Sequence, residues 1–444
     1  MQTAFIPNFV KAQEKNEDPI RFLNIIFTIF FIASVVISIL GIIFSREIVL
    51  ITAYGFKNIP EKFTKTIEVT RITFPYLVLV SMSALFQATL NSRKEFFQPA
   101  LSPALFDLGI VAIIVIAHFF IPEEDHVVTL GYSVLFGGLL QLLYLVQRLK
   151  AHNVRPSLTL NFRHPYLKDF GRLLIPVVIA MGFSKITPFI NTLIATFLKE
   201  GSVSYLTYAY RIMQLPVGLF AVGLQTVSMP SFSRIIARNG EIRDALWKSI
   251  FYSIFLTLPS SLFIIFYAEE IVRILFQRGA FTALDTINTA QALVLYTPHV
   301  VAIGISKVLL NYYFSKGDIK IPNYSVVLGS IVNVAIALTL PRILGFPSLA
   351  LAVSAGTLVQ SLFLTYMVTK DNPIIPLYIW QIFKVMFVSV ISLIPCYFIK
   401  VGNTLLRVVL GFIAYVIVFL TIARILNFLP ELKPREDERT QNEF

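Results

Sequence analysis

Apolar runs of about twenty residues recur along this chain from end to end, and no other feature restricts its fold as strongly. A run of that length crosses a hydrocarbon layer of ~30 Å as a helix. Backbone placed in lipid must satisfy its own hydrogen bonds, so each run reads as a helix and not as a lone strand. The runs lie at 24–44, 72–90, 102–121, 127–146, 173–198, 203–230, 249–267, 286–314, 324–340, 347–368, 379–399 and 405–426. Hydrophobic residues make up 56% of the chain and charged residues only 14%, which leaves too few charges to cover a soluble core of this size. The expected class is all-α: a polytopic membrane helix bundle with about twelve crossings.

The net charge of +12 would suggest nucleic acid in a soluble protein. Here the basic residues sit mainly between apolar runs, where they mark topology and attract anionic headgroups. No RNA-binding motif or aromatic-basic stripe accompanies them, so nucleic acid is not an expected partner. Arg148, Lys150, Arg155, Arg163, Lys168 and Arg172 share one connection, and Arg234, Arg238, Arg243 and Lys248 share another, whereas 122–126 on the opposite side has no Lys or Arg. The basic side is cytoplasmic by this bias, and the C-terminal tail at 429–444 falls on it. The one cysteine, Cys396, excludes a disulfide or a cysteine metal site within the chain. The first residues lack a basic stretch followed by an apolar one, so they do not read as a cleavable signal.

An internal repeat organises the chain. Phe5-Ile6-Pro7 is echoed by Ser228-Met229-Pro230, and Ser45-Arg46-Glu47-Ile48-Val49 by Ala268-Glu269-Glu270-Ile271-Val272. Thr73-Phe74-Pro75-Tyr76 is echoed by Tyr296-Thr297-Pro298-His299, Leu90-Asn91 by Leu310-Asn311, and Pro99 by Pro322. Most pairs share an offset of about 223 residues. An even number of spans per unit makes the repeats parallel. The second unit has two long helices ahead of Met229-Pro230, and the first has only Met1 to Val10 ahead of its third helix. The expectation is that roughly 50–60 residues are missing upstream and that the natural product has about fourteen crossings. The expected layout is an incomplete N-terminal lobe at 1–150, a basic cytoplasmic linker at 151–171, a C-terminal lobe at 172–370, two extra helices at 371–428 and a cytoplasmic tail at 429–444.

The run Gly201-Ser202-Val203-Ser204-Tyr205-Leu206-Thr207-Tyr208-Ala209-Tyr210-Arg211-Ile212-Met213-Gln214-Leu215-Pro216 is the densest motif in the chain. With it stand Gly218, Met229-Pro230, Ala4-Phe5-Ile6-Pro7, Phe276-Gln277-Arg278-Gly279-Ala280-Phe281-Thr282, Thr73-Phe74-Pro75-Tyr76, Leu90-Asn91-Ser92 and Lys307. As a set, spread over essentially the whole chain, these resemble the MurJ (MviN) family of lipid II flippases, within the multidrug/oligosaccharidyl-lipid/polysaccharide exporter superfamily. The resemblance implies a MATE-like architecture of two pseudo-symmetric six-helix lobes followed by two C-terminal helices, with the first lobe here lacking its N-terminal helices. It implies a transporter and not an enzyme, in the bacterial inner membrane. It would move an undecaprenyl-diphosphate-linked peptidoglycan precursor from inner to outer leaflet by alternating access. Its partners would be lipid II or a related polyprenyl-diphosphate glycolipid, membrane lipids and proteins of cell-wall synthesis.

Such a substrate sets a chemical requirement. Its headgroup cannot cross hydrocarbon unaided, so a diphosphate needs cationic partners in a wet cavity. Three isolated cations lie within apolar spans: Arg211, Lys185 and Lys307. An ionisable residue at membrane depth usually faces water or a partner, and the arginine fork suits two phosphate oxygens at once. Plainer readings stay open: Arg211 and Lys185 can snorkel, and Lys307 can serve helix packing. Gln214, one turn from Arg211, orients the arginine or simply packs. Pro216 is the best hinge candidate among many prolines, because it interrupts the helix just after Arg211.

Some relatives carry a sodium site built from carboxylates and amides. Asn191 and Asn333 take amide positions here, but Ala337 stands one turn after Asn333 where a carboxylate would be needed. No complete ion site is expected, no cofactor is implied, and sodium or proton coupling stays open. Gln214 and Tyr210 replace acidic neighbours of the family arginine. With the cytoplasm negative, export of a diphosphate is favoured by roughly 2.3 kcal/mol per charge per 100 mV, and no phosphate-loop motif for an ATP motor is present.

Three competing readings remain. An exporter of another polyprenyl-linked glycan shares this logic, whereas a multidrug exporter of cationic drugs would want acidic spans. A membrane glycosyltransferase needs a carboxylate base or metal site on sizeable loops, and the loops here are short. A non-transporting scaffold of the cell-wall machinery is the third.

Overall fold

The computed structural model describes residues 2–15, 17–238 and 240–428; the tail expected at 429–444 lies outside them. Among the described residues there is no β-strand. Eleven helical stretches among them are long and apolar enough to cross a membrane, and the protein is a multi-pass membrane protein. The twelfth expected span, 173–198, is also a helix, but it is not one of the eleven. The chain divides into two compact units, Met1–Leu193 and Ile194–Phe444.

The first unit begins with α1 (Gln2–Glu14), α2 (Pro19–Ile43), the short α3 (Ser45–Thr52) and a 3-10 turn (Tyr54–Asn58). Then come α4 (Pro60–Thr73), α5 (Tyr76–Ser92), α6 (Phe97–Phe120), a second 3-10 turn (Glu123–Asp125), α7 (His126–Ala151) and α8 (Leu167–Ala195). Pro19 opens α2, where a missing N–H costs nothing, and Asp18 accepts from the Arg21 amide to cap it. Pro75 separates α4 from α5 by removing a backbone donor; the Ser38 hydroxyl of α2 donates to the Phe74 carbonyl at 2.8 Å at this break. The core of this unit is aromatic. Phe5, Phe9 and Phe22 are fully buried and stack with centroids 5.1 and 5.6 Å apart. Outward positions are apolar too: Leu108, Val111, Val115, Ile116 and Phe119 of α6 are all exposed, as expected where lipid and not water is the solvent.

The second unit contains α9 (Ser202–Pro216), a π-helical segment (Val217–Val222), α10 (Gly223–Ala237), α11 (Arg243–Phe266) and α12 (Ala268–Phe276). These are followed by α13 (Ala283–Ser315), α14 (Lys320–Thr339), α15 (Pro341–Leu344), α16 (Pro347–Asp371), α17 (Pro376–Ile391), α18 (Ile394–Phe398) and α19 (Thr404–Ile425). The last helix is tied down by Arg407, which meets Glu270 of α12 at 3.2 Å, and by Lys384 of α17, which donates to the Leu426 carbonyl.

The repeat read from the sequence reappears element by element. The succession α2, α3, α4–α5, α6, α7 matches α11, α12, α13, α14, α16, and the short α3 and α12 begin 223 positions apart, at Ser45 and Ala268. Details match as well. Ser102 donates to the Pro99 carbonyl at 3.0 Å, and Ser325 to the Pro322 carbonyl at 2.7 Å. A Cβ on Gly137 would sit 2.5 Å from the Phe106 carbonyl oxygen, and one on Gly356 would sit 2.5 Å from that of Gly329. In each unit a glycine lets one helix backbone press against the next, the small-residue packing that membranes favour.

Candidate functional site

The start of α9 is fixed by a web of contacts. Gly201 takes φ +85°, and its missing Cβ leaves room for the Tyr205 ring. The Tyr205 hydroxyl donates to Asp285 Oδ1 at 2.6 Å. Asp285 also accepts from the Thr282 amide at 2.7 Å and closes a capping box at the head of α13. Tyr208 packs on Phe276 and Phe281 with centroids 4.6 and 5.7 Å away. Two of the sequence motifs, 201–216 and 276–282, are thus the two halves of one joint.

That joint orients α9. Tyr205, Leu206, Ala209, Ile212, Met213 and Pro216 are buried in the core of the second unit. Ser204, Thr207, Arg211, Gln214 and Leu215 lie exposed on the other side of the helix. Arg211 has neither an ion pair nor a hydrogen bond among the described residues, and Gln214 does not bond to it. The face therefore presents an unneutralised guanidinium with an amide one turn away. Directly after Pro216 the helix widens into the π segment, a local defect of the kind often found at functional positions. Gly218 and Gly223, in and just after this segment, have open space where a side chain would be.

The π segment leads into α10, whose polar side chains meet α13. Lys307 Nζ donates to Gln225 Oε1 at 2.9 Å. Asn311, one turn on, donates to the Gln225 carbonyl at 2.6 Å and to Ser228 Oγ at 2.8 Å. Ser233 of α10 donates to Ser315 of α13 at 3.2 Å. Lys307 is half-buried and held, unlike Arg211. On the same face of α13, two turns before Lys307, His299 Nδ1 lies 2.7 Å from Thr357 Oγ1 of α16. Gln225 was not singled out by the sequence, and Ser228 and His299 stood out only as members of the repeat. The available signal was a polar residue alone in an apolar run, which serine, glutamine and histidine all give too often to be selective.

Asn333 is buried on α14, beside the Gly329–Gly356 crossing, and its Oδ1 has no partner. Asn191 Oδ1 on α8 is likewise unsatisfied. Two orphaned amide oxygens are what a cation would use, but Ala337 is fully buried beside Asn333 and brings no charge. Among the described residues no group of three or more His, Cys, Asp or Glu could hold a metal ion. Asn191 and Asn333 supply amide oxygens, and Ala337 supplies no carboxylate. Lys185 lies on α8 in the first unit, exposed, with no ion pair among the described residues.

The profile of the family described as lipid II flippase MurJ matches residues 1–420. A "Probable lipid II flippase MurJ" of Buchnera aphidicola subsp. Acyrthosiphon pisum (strain APS) is 34% identical over 325 residues, covering 72% of this chain; the chain spans 63% of that relative's length. Among solved structures, a lipid II flippase MurJ in an inward closed conformation superposes with a TM-score of 0.80 at 24% identity, over 96% of this chain and 88% of the other. An inward-facing multidrug resistance MATE family transporter, described as of the MOP superfamily, gives 0.68 at 14% identity, over 84% of this chain and 85% of the other. These two superpositions establish the fold, a MATE-like helix bundle. The profile match over residues 1–420 goes further: the chain belongs to the MurJ family.

Proposed function

We propose that this protein is a flippase that carries lipid II, an undecaprenyl-diphosphate-linked peptidoglycan precursor, from the inner to the outer leaflet by alternating access. Membership of the family carries the reading, and the unneutralised Arg211 on an otherwise packed membrane helix gives it a chemical basis. Arg211, Lys185 and Lys307 take the diphosphate. Gln214 supports Arg211, Asn191 and Asn333 support the polar interior, and Pro216 with the π segment behind it is the hinge. Residues 1–150 and 172–370 form the two lobes, 151–171 the linker, and 371–428 the extra helices. The protein sits in the bacterial inner membrane with its C-terminus in the cytoplasm, the side marked by the basic connections. Burying a diphosphate without countercharge is prohibitive, and an arginine fork replaces two of its water contacts with charge-assisted hydrogen bonds. The membrane potential then favours outward movement of the anion.

The test is depletion of the resident flippase in a host that expresses this chain, with lipid II followed at the outer surface. Restored exposure of lipid II, lost in Arg211→Ala at equal membrane abundance, is the expected result. No restoration by a correctly inserted chain overturns the proposal; equal restoration by the alanine variant removes Arg211 from it.

A further inference from the structure

In the connection between α7 and α8, exposed apolar residues lie outside the helices in regular alternation. Leu158, Leu160 and Phe162 are 60%, 89% and 41% exposed. Thr159 between them is half-buried and Asn161 is exposed, and the alternate residues from Ser157 to Arg163 use their backbone donors. The Ser157 amide donates to Asn24 Oδ1 and the Thr159 amide to Thr28 Oγ1, both at 2.9 Å. The Asn161 amide donates to Thr159 Oγ1 and the Arg163 amide to Asn161 Oδ1, both at 3.2 Å. His164 Nε2 then meets the Glu17 carbonyl at 3.0 Å, just ahead of α2.

These partners give a depth scale. At 1.5 Å per residue, Thr28 lies about 14 Å along α2 from Pro19. Asn24 lies about 6 Å short of Thr28. The connection thus descends beside a membrane-spanning helix as far as Thr159, turns at Leu160, and climbs back to the level of Glu17 by His164. Five residues, reaching about 16 Å at full extension, suffice to pass the ten helical residues from Thr28 to Pro19, about 14 Å, and meet Glu17 just beyond the helix. Irregular backbone beside a membrane helix needs bonds for its polar groups, and Asn24, Thr28, Thr159 and Asn161 supply them to four of the amides, at alternate positions.

Where the segment leaves this depth, Phe162, Arg163, His164, Pro165, Leu167 and Lys168 line an open cleft of about 630 Å³. The side chains of Arg163 and Lys168 have no ion pair among the described residues, while the nearby Asp169 is already engaged by Arg172 at 3.5 Å. Two free cations above three exposed apolar side chains match an anionic lipid, phosphate above and acyl chains below.

We propose that residues 155–168 form a re-entrant hairpin that places Leu160 among the acyl chains of one leaflet and clasps the phosphate of an anionic lipid between Arg163 and Lys168. The site is separate from the cations assigned to transport, so its test does not depend on flipping. In the full chain, reconstituted in phosphatidylglycerol–phosphatidylcholine vesicles, a nitroxide on Leu160→Cys is expected to relax with oxygen and not with an aqueous nickel complex. A nitroxide on Gly402→Cys, in an exposed loop, is expected to do the opposite. Buried Cys396 is the labelling blank in the unsubstituted chain. In detergent, the unsubstituted chain is expected to retain phosphatidylglycerol over phosphatidylcholine. Retention should fall on the order of tenfold or more in Arg163→Ala/Lys168→Ala and hold in Arg342→Ala/Lys400→Ala, with all three melting alike. Nickel access to position 160 equal to that at 402 overturns the proposal. So does equal lipid retention by the two double variants, and so does displacement of the lipid by inorganic phosphate alone, which would mark a site for the free anion.

Discussion

An arginine at membrane depth with no acid beside it is retained only where something else compensates it. Arg211 stands on the exposed side of α9 with Gln214 one turn away, so its removal should leave the packed side of the helix intact. The expected outcome for Arg211→Ala is a fall in lipid II export on the order of tenfold or more with an unchanged melting temperature, and Arg211→Lys should recover only part of it because a point charge cannot bridge two oxygens. Lys307 behaves differently, since Gln225 already holds it. Lys307→Met and Gln225→Leu should each lower stability, and a double-mutant cycle on thermal unfolding should show a coupling of about 1–2 kcal/mol between them. Absence of coupling would mean that the 2.9 Å contact contributes nothing to the fold. Arg211 could be picked out of the sequence because a lone cation in an apolar run has few structural uses. The partner of Lys307 could not, because hydrogen bonding between helices depends on rotation and depth, and Gln225 follows a π segment that shifts its phase relative to Arg211.

Helices were legible wherever composition alone decides, because twenty apolar residues in lipid have one structure available. Their breaks were less so. Pro75 divides α4 from α5, whereas its counterpart Pro298 lies within the unbroken 33-residue α13. The two prolines give the same signal, and a serine of a neighbouring helix bonds the carbonyl before each, Ser38 to Phe74 at 2.8 Å and Ser261 to Thr297 at 3.4 Å; only the shorter contact accompanies a break. The repeat was visible from scattered motifs because most of them share one offset; the glycines at the helix crossings, Gly137 and Gly356, lie 219 positions apart and emerge only from the structure. These crossings leave no room for a side chain on α16 or α7. A leucine at Gly356 would drive its Cβ to within 2.5 Å of the Gly329 carbonyl, and one at Gly137 would meet the Phe106 carbonyl in the same way. Both substitutions should destabilise by about 1–3 kcal/mol or more, since backbone atoms cannot move aside as side chains do. Gly402→Leu, where nothing lies within 4 Å, should be silent. Thermal unfolding in detergent compares the three, and equal stability of Gly356→Leu and Gly402→Leu would show that the helices do not meet as described.

For the whole molecule, the balance of charge sets what would drive the proposed transport. Among the described residues the spans hold cations with few acids, and no cluster of acidic or imidazole ligands is present to bind a coupling metal. A carrier built this way moves net negative charge when it carries a diphosphate, and each charge gains roughly 2.3 kcal/mol per 100 mV of potential. Two charges then bias the distribution by three orders of magnitude or so at 100 mV. Vesicles containing the protein and a lipid-linked diphosphate, given a potassium gradient and valinomycin, should therefore accumulate the headgroup on the positive face. Reversing the gradient should reverse the asymmetry, and collapsing it should leave the two leaflets equal. Replacing sodium by choline at fixed potential should change neither result, because Ala337 leaves Asn333 without the negative charge that would hold a sodium ion against water. A dependence on sodium that survives at zero potential would show that another part of the chain supplies that charge, and the electrogenic account would fail with it.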